Sequence, residues 1–379
     1  MKKILCVFFL LSISFISVIA SEFKTRDIIT VGILIETESL NAASDSKYSI
    51  RNNDKILNLS PGKVTLTLKD DTVTAGKYLL KLPVKIQSGS HIVINKKIYR
   101  GNIIINLSKN KKLNVINELN IEDYLKGVLP KEVDPNWNAD ALKAQAVISR
   151  SYVIKNLNRH ACDNFNVCAT VHCQVYGGAS AETEECNKAV DDTKSEILTF
   201  NGEIAQAVFH ASCGGYTENP KYIWDWKIDV PDYLKGIKDK YCSTSTHNKW
   251  CCTLSEQTIR KKLLNAGYKV EEIKSLDLSG KTSGHAKEFI TIKHKKGKLK
   301  LNAYKFRLAV APDTIKSSYI KNIKKDGKNF IFTGTGWGHR IGLCQCGAKV
   351  MAEKGFSYKE ILKHYYPGTE IESIEYEKQ

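Results

Sequence analysis

The chain has 379 residues, of which 42% are hydrophobic and 26% charged, and 57 Lys and Arg outnumber 40 Asp and Glu for a formal charge of +17. That balance excludes wholesale disorder and leaves length for one large or two ordinary domains with a real core. Eleven cysteines are the unusual number.

At the amino terminus, Lys2 and Lys3 precede an uncharged run from Ile4 to Ala20, closed by Val18-Ile19-Ala20 and then Ser21. A positive start, a greasy stretch and a small-residue end predict a signal peptide or a signal-anchor over residues 1–20. The run sits at the lower edge of what spans a bilayer, so cleavage and retention both stay open. Either way the rest is expected outside the cytoplasm, and this segment offers a route to membrane contact. The polyanions within reach there are wall polymers and the outer leaflet, not nucleic acid, and a basic surface is drawn to them by attraction that salt weakens. Simple solubility accounts for the charge equally well.

From 24 to 115 the text reads as strands. Ile28 to Ile35 opens the series, Val64 to Leu68 and Leu82 to Ile86 alternate, and Ile103 to Leu107 follows, with Gly, Asn, Asp and Ser between. Helices take over at Asn120, which can cap Ile121 to Val128, with Asp123 three places on and Pro130 as the stop. Asn138 caps a longer helix to about Asn158, on which Leu142, Ala146, Val153 and Leu157 recur at helical spacing. A Cys/His-rich loop fills 160–178. Next come a helix at 181–192, strands at 196–200 and 204–210, and a long loop at 212–252. A helix at 255–266 and strands near 273–279 and 287–293 lead to KHKKGKLK, Lys293 to Lys300, which reads as a hairpin tip around Gly297. A helix at 302–309, a strand at 329–334 and helices near 342–354 and 357–364 close the chain. The expected class is α+β: a strand-rich part over 24–115, mixed helix and strand lobes over 116–370 around one groove, and a tail at 371–379.

In the loop, His160, Cys162, Cys168, His172 and Cys173 exceed what the four positions of a tetrahedral zinc require. A disulfide such as Cys162–Cys168 with surface histidines is the competing reading.

Four segments together resemble the stage II sporulation protein D and amidase-enhancer family. The first is Tyr124 to Glu132, YLKGVLPKE, followed by ALKAQAV at Ala141 and SRSY at Ser149. The second is Phe209 to Glu218, FHASCGGYTE. The third is Asp232 to Gly236, DYLKG, and the fourth is Gly336 to Ala348, GWGHRIGLCQCGA. They occur in the family's order, and the resemblance covers roughly residues 30 to 370.

The resemblance implies a lytic transglycosylase that cuts peptidoglycan glycan strands, preferably strands already stripped of stem peptides, in sporulation-linked wall remodelling. Glu132 matches the catalytic glutamate, although from the residues alone it reads as a solvated turn position after Pro130. Such an acid must start protonated, and Val128, Leu129, Val133 and Trp137 would supply the apolar setting that raises its pKa. Lys143 and Arg150, seven apart on one helix face, match groove-lining residues, as do Tyr233 and Lys235. Ser212, His339 and Gln345 match groove wall or loop-fixing positions. Relatives of the clostridial type imply one structural zinc on His160, Cys168, His172 and Cys173, with Cys162 spare. The sequence departs from the family pattern at Cys213, Cys344 and Cys346, and Cys213 is expected close to one of the other two. Two further functions stay in view. One is a non-catalytic wall-binding activator of a partner amidase, against which Glu132 counts. The other is a zinc amidase, which would need an open metal with three protein ligands.

Overall fold

The computed structural model describes residues 23–224, 226, 229–244 and 248–377. The predicted leader, residues 1–20, lies outside them. The class is α+β with a strand-rich amino-terminal part, as the alternation of that region requires.

That part is two sheets sharing one core. The seven-stranded sheet runs, in spatial order, through 167–168, 28–37, 113–120, 102–107, 84–88, 48–51 and 56–59, and the six-stranded sheet through 97–99, 92–94, 39–44, 62–69, 72–75 and 78–81. Ile50, Ile86, Ile103 and Ile105 of the first meet Leu40, Leu66 and Val73 of the second, all buried. Period-2 alternation brings these side chains to one face, for example Ile103 and Ile105 between half-exposed neighbours. The predicted strand at 82–86 is Val84–Ser88, starting beyond Pro83, which has no N–H for a ladder.

The helices cover the larger sheet. α1 is Ile121–Glu132, capped by the Asn120 side chain, which accepts from the Glu122 N–H. Pro130 does not stop it: the residue sits inside the last turn, and the Val133 N–H still reaches the Leu129 carbonyl at 3.1 Å. α2, Ala139–Lys155, is buried along nearly all its length and separates two cores. Leu142, Ala146 and Val153 face the sheets, whereas Ala144, Val147 and Ile148 face a second core with Leu198, Leu343, Met351 and Ile361. α3 is Glu184–Asp192. The predicted strand at 204–210 is two short pieces, Glu203–Ile204 and Phe209–His210, joined by a segment that turns toward the groove.

Residues 250–335 build a third core of their own. Two three-stranded sheets, 250–255 with 329–334 and 320–326, and 273–279 with 289–294 and 297–302, pack with α4, Glu256–Asn265, and α5, Ala303–Val310. The basic run is the predicted hairpin, with Lys293 opposite Lys298. Glu218 ties this lobe to the rest. Its buried carboxylate accepts from Thr282 Oγ1 at 2.5 Å, Ser283 Oγ at 3.0 Å and the Gly284 N–H at 3.1 Å, and Arg340 stands 3.5 Å away.

α6, Gln345–Glu353, and α7, Tyr358–Tyr365, complete the second core. The expected tail at 371–379 is instead a strand, Glu370–Glu377, pairing antiparallel with 196–200 and parallel with 23–26. Ile374 is buried there, and Tyr376 donates to Glu122, so the segment is held by its own side chains.

Candidate active site and metal centre

A cleft of about 650 Å³ opens where α1, the Cys/His loop and the 206–226 segment meet. Glu132, the last residue of α1, lines it with Tyr152, Phe209, Trp224, Trp226 and His339. Among the described residues, Glu132 is the only carboxyl group on its wall. Its Oε1 accepts the Val175 N–H at 3.0 Å. Burial raises the Glu132 pKa above the ordinary carboxylate range, and the Val175 bond only partly offsets this. A carboxyl in this state keeps its proton at higher pH than a solvated one, which suits a proton donor.

Two indoles, Trp224 and Trp226, share the cleft wall, stacked with centroids 6.1 Å apart and planes 18° from parallel. Flat apolar faces of this kind match the C–H faces of pyranose rings. The Trp226 Nε1 is buried and has no hydrogen-bond partner among the described residues. His339 packs on Trp224 at 5.1 Å, and burial pushes its pKa down to about 4. Its Nδ1 accepts the Ile341 N–H at 3.0 Å, so the neutral ring carries its proton on Nε2.

The loop brings His160, Cys168, His172 and Cys173 together, with one donor atom from each within 4.8 Å of all the others. His160 Nε2 is 3.2 Å from His172 Nδ1, and each thiol is 3.7 Å from that same nitrogen. His160 Nδ1 meets Asp163 Oδ2 at 3.2 Å, the outer carboxylate contact that orients a ligating imidazole. Burial alone would raise the Cys168 thiol, but bonds from Thr170, His172 and Cys173 outweigh it and bring it down to about 6. Two sulfurs and two imidazole nitrogens in this spacing fit a closed tetrahedral zinc. Cys162 is exposed and outside the group.

The loop and the acid are neighbours. His172 and Cys173 line the cleft, and Val175, two residues on, holds Glu132. Gly127 permits the approach: a Cβ there would fall 2.5 Å from the Tyr176 ring and 3.0 Å from the Gly178 carbonyl, and its own carbonyl accepts the Gly177 N–H at 3.0 Å.

The other predicted site residues divide. Gln345 supports Glu132 from behind, its Nε2 donating to the Glu132 carbonyl at 3.2 Å and to Gln145 Oε1 at 3.3 Å. Tyr233 is buried, and its hydroxyl accepts the N–H of Gln206, a cleft residue, at 2.9 Å. Ser212 is buried behind the cleft beside Cys242. Lys143 pairs with Asp192 at 3.0 Å and Lys235 with Asp232 at 2.5 Å, neither on the cleft wall.

The expectation that Arg150 lines the groove is corrected. Its side chain is 0% exposed, with Nε 2.9 Å from Glu122 Oε1, Nη2 2.7 Å from Glu122 Oε2 and Nη1 donating to the Glu196 carbonyl at 3.0 Å. The seven-residue spacing does put Lys143 and Arg150 on one helix face, but that face packs on α1 and α3 rather than on substrate. Sequence reasoning missed Trp224 and Trp226; two tryptophans one residue apart in a predicted loop were the available signal.

A stage II sporulation protein family pattern matches residues 109–200. The chain is 34% identical over 300 residues to an uncharacterised protein of Brachyspira hyodysenteriae, covering 78% of this chain and 77% of that one. It is 30% identical over 279 residues to stage II sporulation protein D of Bacillus subtilis, covering 68% and 75% of the two chains. With the amidase enhancer of the same organism it shares 30% identity over 388 residues, which covers 89% of this chain but only 53% of that protein.

Proposed function

Because this chain belongs to the stage II sporulation protein D family and so has a cell-wall-related role, we propose that it is an exported lytic transglycosylase, a glycan-strand lyase acting on peptidoglycan in sporulation. The observation that carries this reading is Glu132, the one carboxyl among the described residues of the cleft wall, with its pKa raised by burial and two stacked indoles lining the same cleft. Glycosidases that add water ordinarily use a pair of carboxyl groups flanking the bond. One is enough when the sugar supplies its own nucleophile.

Protonated Glu132 gives its proton to the glycosidic oxygen as the C1–O bond breaks. The resulting carboxylate then takes the proton of the C6 hydroxyl as that oxygen closes on C1. The product is a 1,6-anhydro-N-acetylmuramic end, and Glu132 is protonated again, so neither water nor net charge is consumed. Trp224 and Trp226 hold the sugar faces, and His339, neutral, fixes the wall beside Trp224. Val175 and Gln345 position Glu132. Zinc on His160, Cys168, His172 and Cys173 would supply a structural cross-link, with every coordination position taken by protein. His160, Cys168, His172 and Cys173, so cross-linked, would hold the turn that presents the Val175 N–H.

A partner amidase fits the same reading, since an amidase removes stem peptides and leaves the bare strands that a narrow cleft admits. The relative named amidase enhancer supports such a partnership, and a non-catalytic activator is the second reading. The test is to incubate the protein with peptide-free glycan strands and weigh the products. Anhydro ends support a transglycosylase, ordinary reducing ends indicate a hydrolase, and intact strands leave the activator.

A further inference from the structure

The fold gathers three cysteines away from the loop site. Cys213 follows the strand 209–210, Cys242 lies in the 229–244 segment, and Cys344 ends the strand 343–344 that pairs with 209–210. Their sulfurs and a carboxylate oxygen of Asp239 all lie within 4.8 Å of one another, and each of the four residues is at most 1% exposed.

We propose that Cys213, Asp239, Cys242 and Cys344 form a second metal site, independent of the His160–Cys173 loop, that holds one zinc-type divalent cation in a closed structural position. Sulfurs at about 2.3 Å from such an ion stand roughly 3.8 Å apart at tetrahedral angles, inside the observed spread. That spread has room for one ion rather than a multinuclear cluster. Three sulfurs among four donors select zinc over calcium or magnesium, which take oxygen.

The surroundings are built for it. Asp239 carries a buried carboxylate whose immediate contacts are neutral donors. Oδ1 accepts the N–H groups of Tyr241 at 2.9 Å and Cys242 at 3.2 Å, and Oδ2 accepts from Tyr365 Oη at 3.0 Å and the Cys213 thiol at 3.2 Å. A carboxylate this buried calls for a cation. The sulfurs receive polar contacts of their own. Cys344 Sγ takes the Cys213 N–H at 3.3 Å, Cys213 Sγ the Gly215 N–H at 3.3 Å, and Ser212 Oγ stands 3.1 Å from Cys242 Sγ. Such outer donors orient ligands around a metal. Gly347 makes the room: a Cβ there would lie 2.0 Å from Tyr365 Oη and 2.5 Å from Asp239 Oδ2.

A disulfide would use two of the three thiols and strand the third in the core. A cation uses all three, joining segments up to 131 residues apart. The bound ion fixes the back of the cleft wall, because Phe209 lies in the paired strand, opposite Leu343, and Gln345, next after Cys344, holds the Glu132 carbonyl.

The experiment is elemental analysis of the full-length mature protein, purified without chelator, alongside Cys344→Ser and Cys168→Ser. Two zinc per wild-type chain, and one in each variant, supports the second site. One zinc that vanishes in Cys344→Ser and persists in Cys168→Ser also supports it, and refutes the loop site instead. One zinc that survives Cys344→Ser, or none in the wild type, overturns the proposal. So does a disulfide between any two of Cys213, Cys242 and Cys344 in unreduced peptides. Should Cys344→Ser fail to fold, zinc-edge X-ray absorption on the wild type decides: about 2.5 sulfurs per zinc is expected from the two sites averaged, and 2.0 overturns the second.

Discussion

Replacing Arg150 by Met should unfold the protein more readily without any direct effect on substrate. The guanidinium is fully buried and makes a two-pronged pair with Glu122, while Glu122 also accepts from Tyr376 Oη at 2.7 Å and the Ser195 N–H at 3.2 Å. Arg150→Met leaves that carboxylate in the core with its neutral donors but no counter-ion, and breaking one side of a buried pair costs about 3–5 kcal/mol. The carbonyls of Glu196 and Val190 lose a donor as well. At this size the loss corresponds to a fall in Tm on the order of 5–10 °C. Glu122→Leu combined with Arg150→Met removes both charges and should recover part of the loss, because the two residues are coupled. Urea denaturation and thermal unfolding of the four proteins give the cycle. The reasoning fails if Arg150→Met costs under about 1 kcal/mol, or if the variant is as stable as wild type yet binds glycan less well. The latter result would return Arg150 to the groove.

Alanine at Trp224 or Trp226 should raise the KM for glycan strands roughly 3- to 10-fold with a smaller effect on kcat, as expected for lost stacking; steady-state kinetics on both variants reads this. Cys168→Ser and Cys173→Ser should each release the loop zinc and lower the melting temperature, since ion binding supplies the folding energy of that loop. Through Val175 they should also slow cleavage, and calorimetry beside a cleavage assay separates the two effects. Glycan cleavage should fall as pH rises through the elevated Glu132 pKa, because only the protonated carboxyl donates. The stability sign is the same: the folded state keeps this proton where the unfolded state loses it, so the contribution is whole below the unfolded pKa and is lost as pH climbs through the folded one. Glu132→Gln should abolish that pH step in thermal unfolding.

The strands of the first 120 residues and the helices from 121 to 155 were legible because alternation and capping residues such as Asn120 and Asn138 act locally. Pro130 misled because its missing N–H falls in a last turn that Val133 still closes. Glu370–Glu377 was hidden as a strand because its partners, 196–200 and 23–26, lie far off in sequence. Glu132, His339 and Gln345 were placed by the family motif alone and the four loop Cys and His residues by motif and spacing together; Glu132, His339, His172 and Cys173 line the cleft, and Gln345 supports Glu132. Arg150 carries the charge of a ligand-binding residue, and only the fold reveals Glu122 opposite it. The Cys213 and Cys344 substitutions likewise acquire a joint meaning only once Asp239 and Cys242 stand beside them.

The central claim is that Glu132 is the acid of a one-carboxyl glycan lyase, and Glu132→Gln tests it most directly. The amide keeps the Val175 contact and the fold but has no acidic proton to give. On peptide-free glycan strands the variant should lose at least about 100-fold of wild-type cleavage, with 1,6-anhydromuramic ends in the wild-type digest only and a melting temperature no lower than wild type at neutral pH. Release of anhydro ends by the folded variant at the wild-type rate would contradict the account.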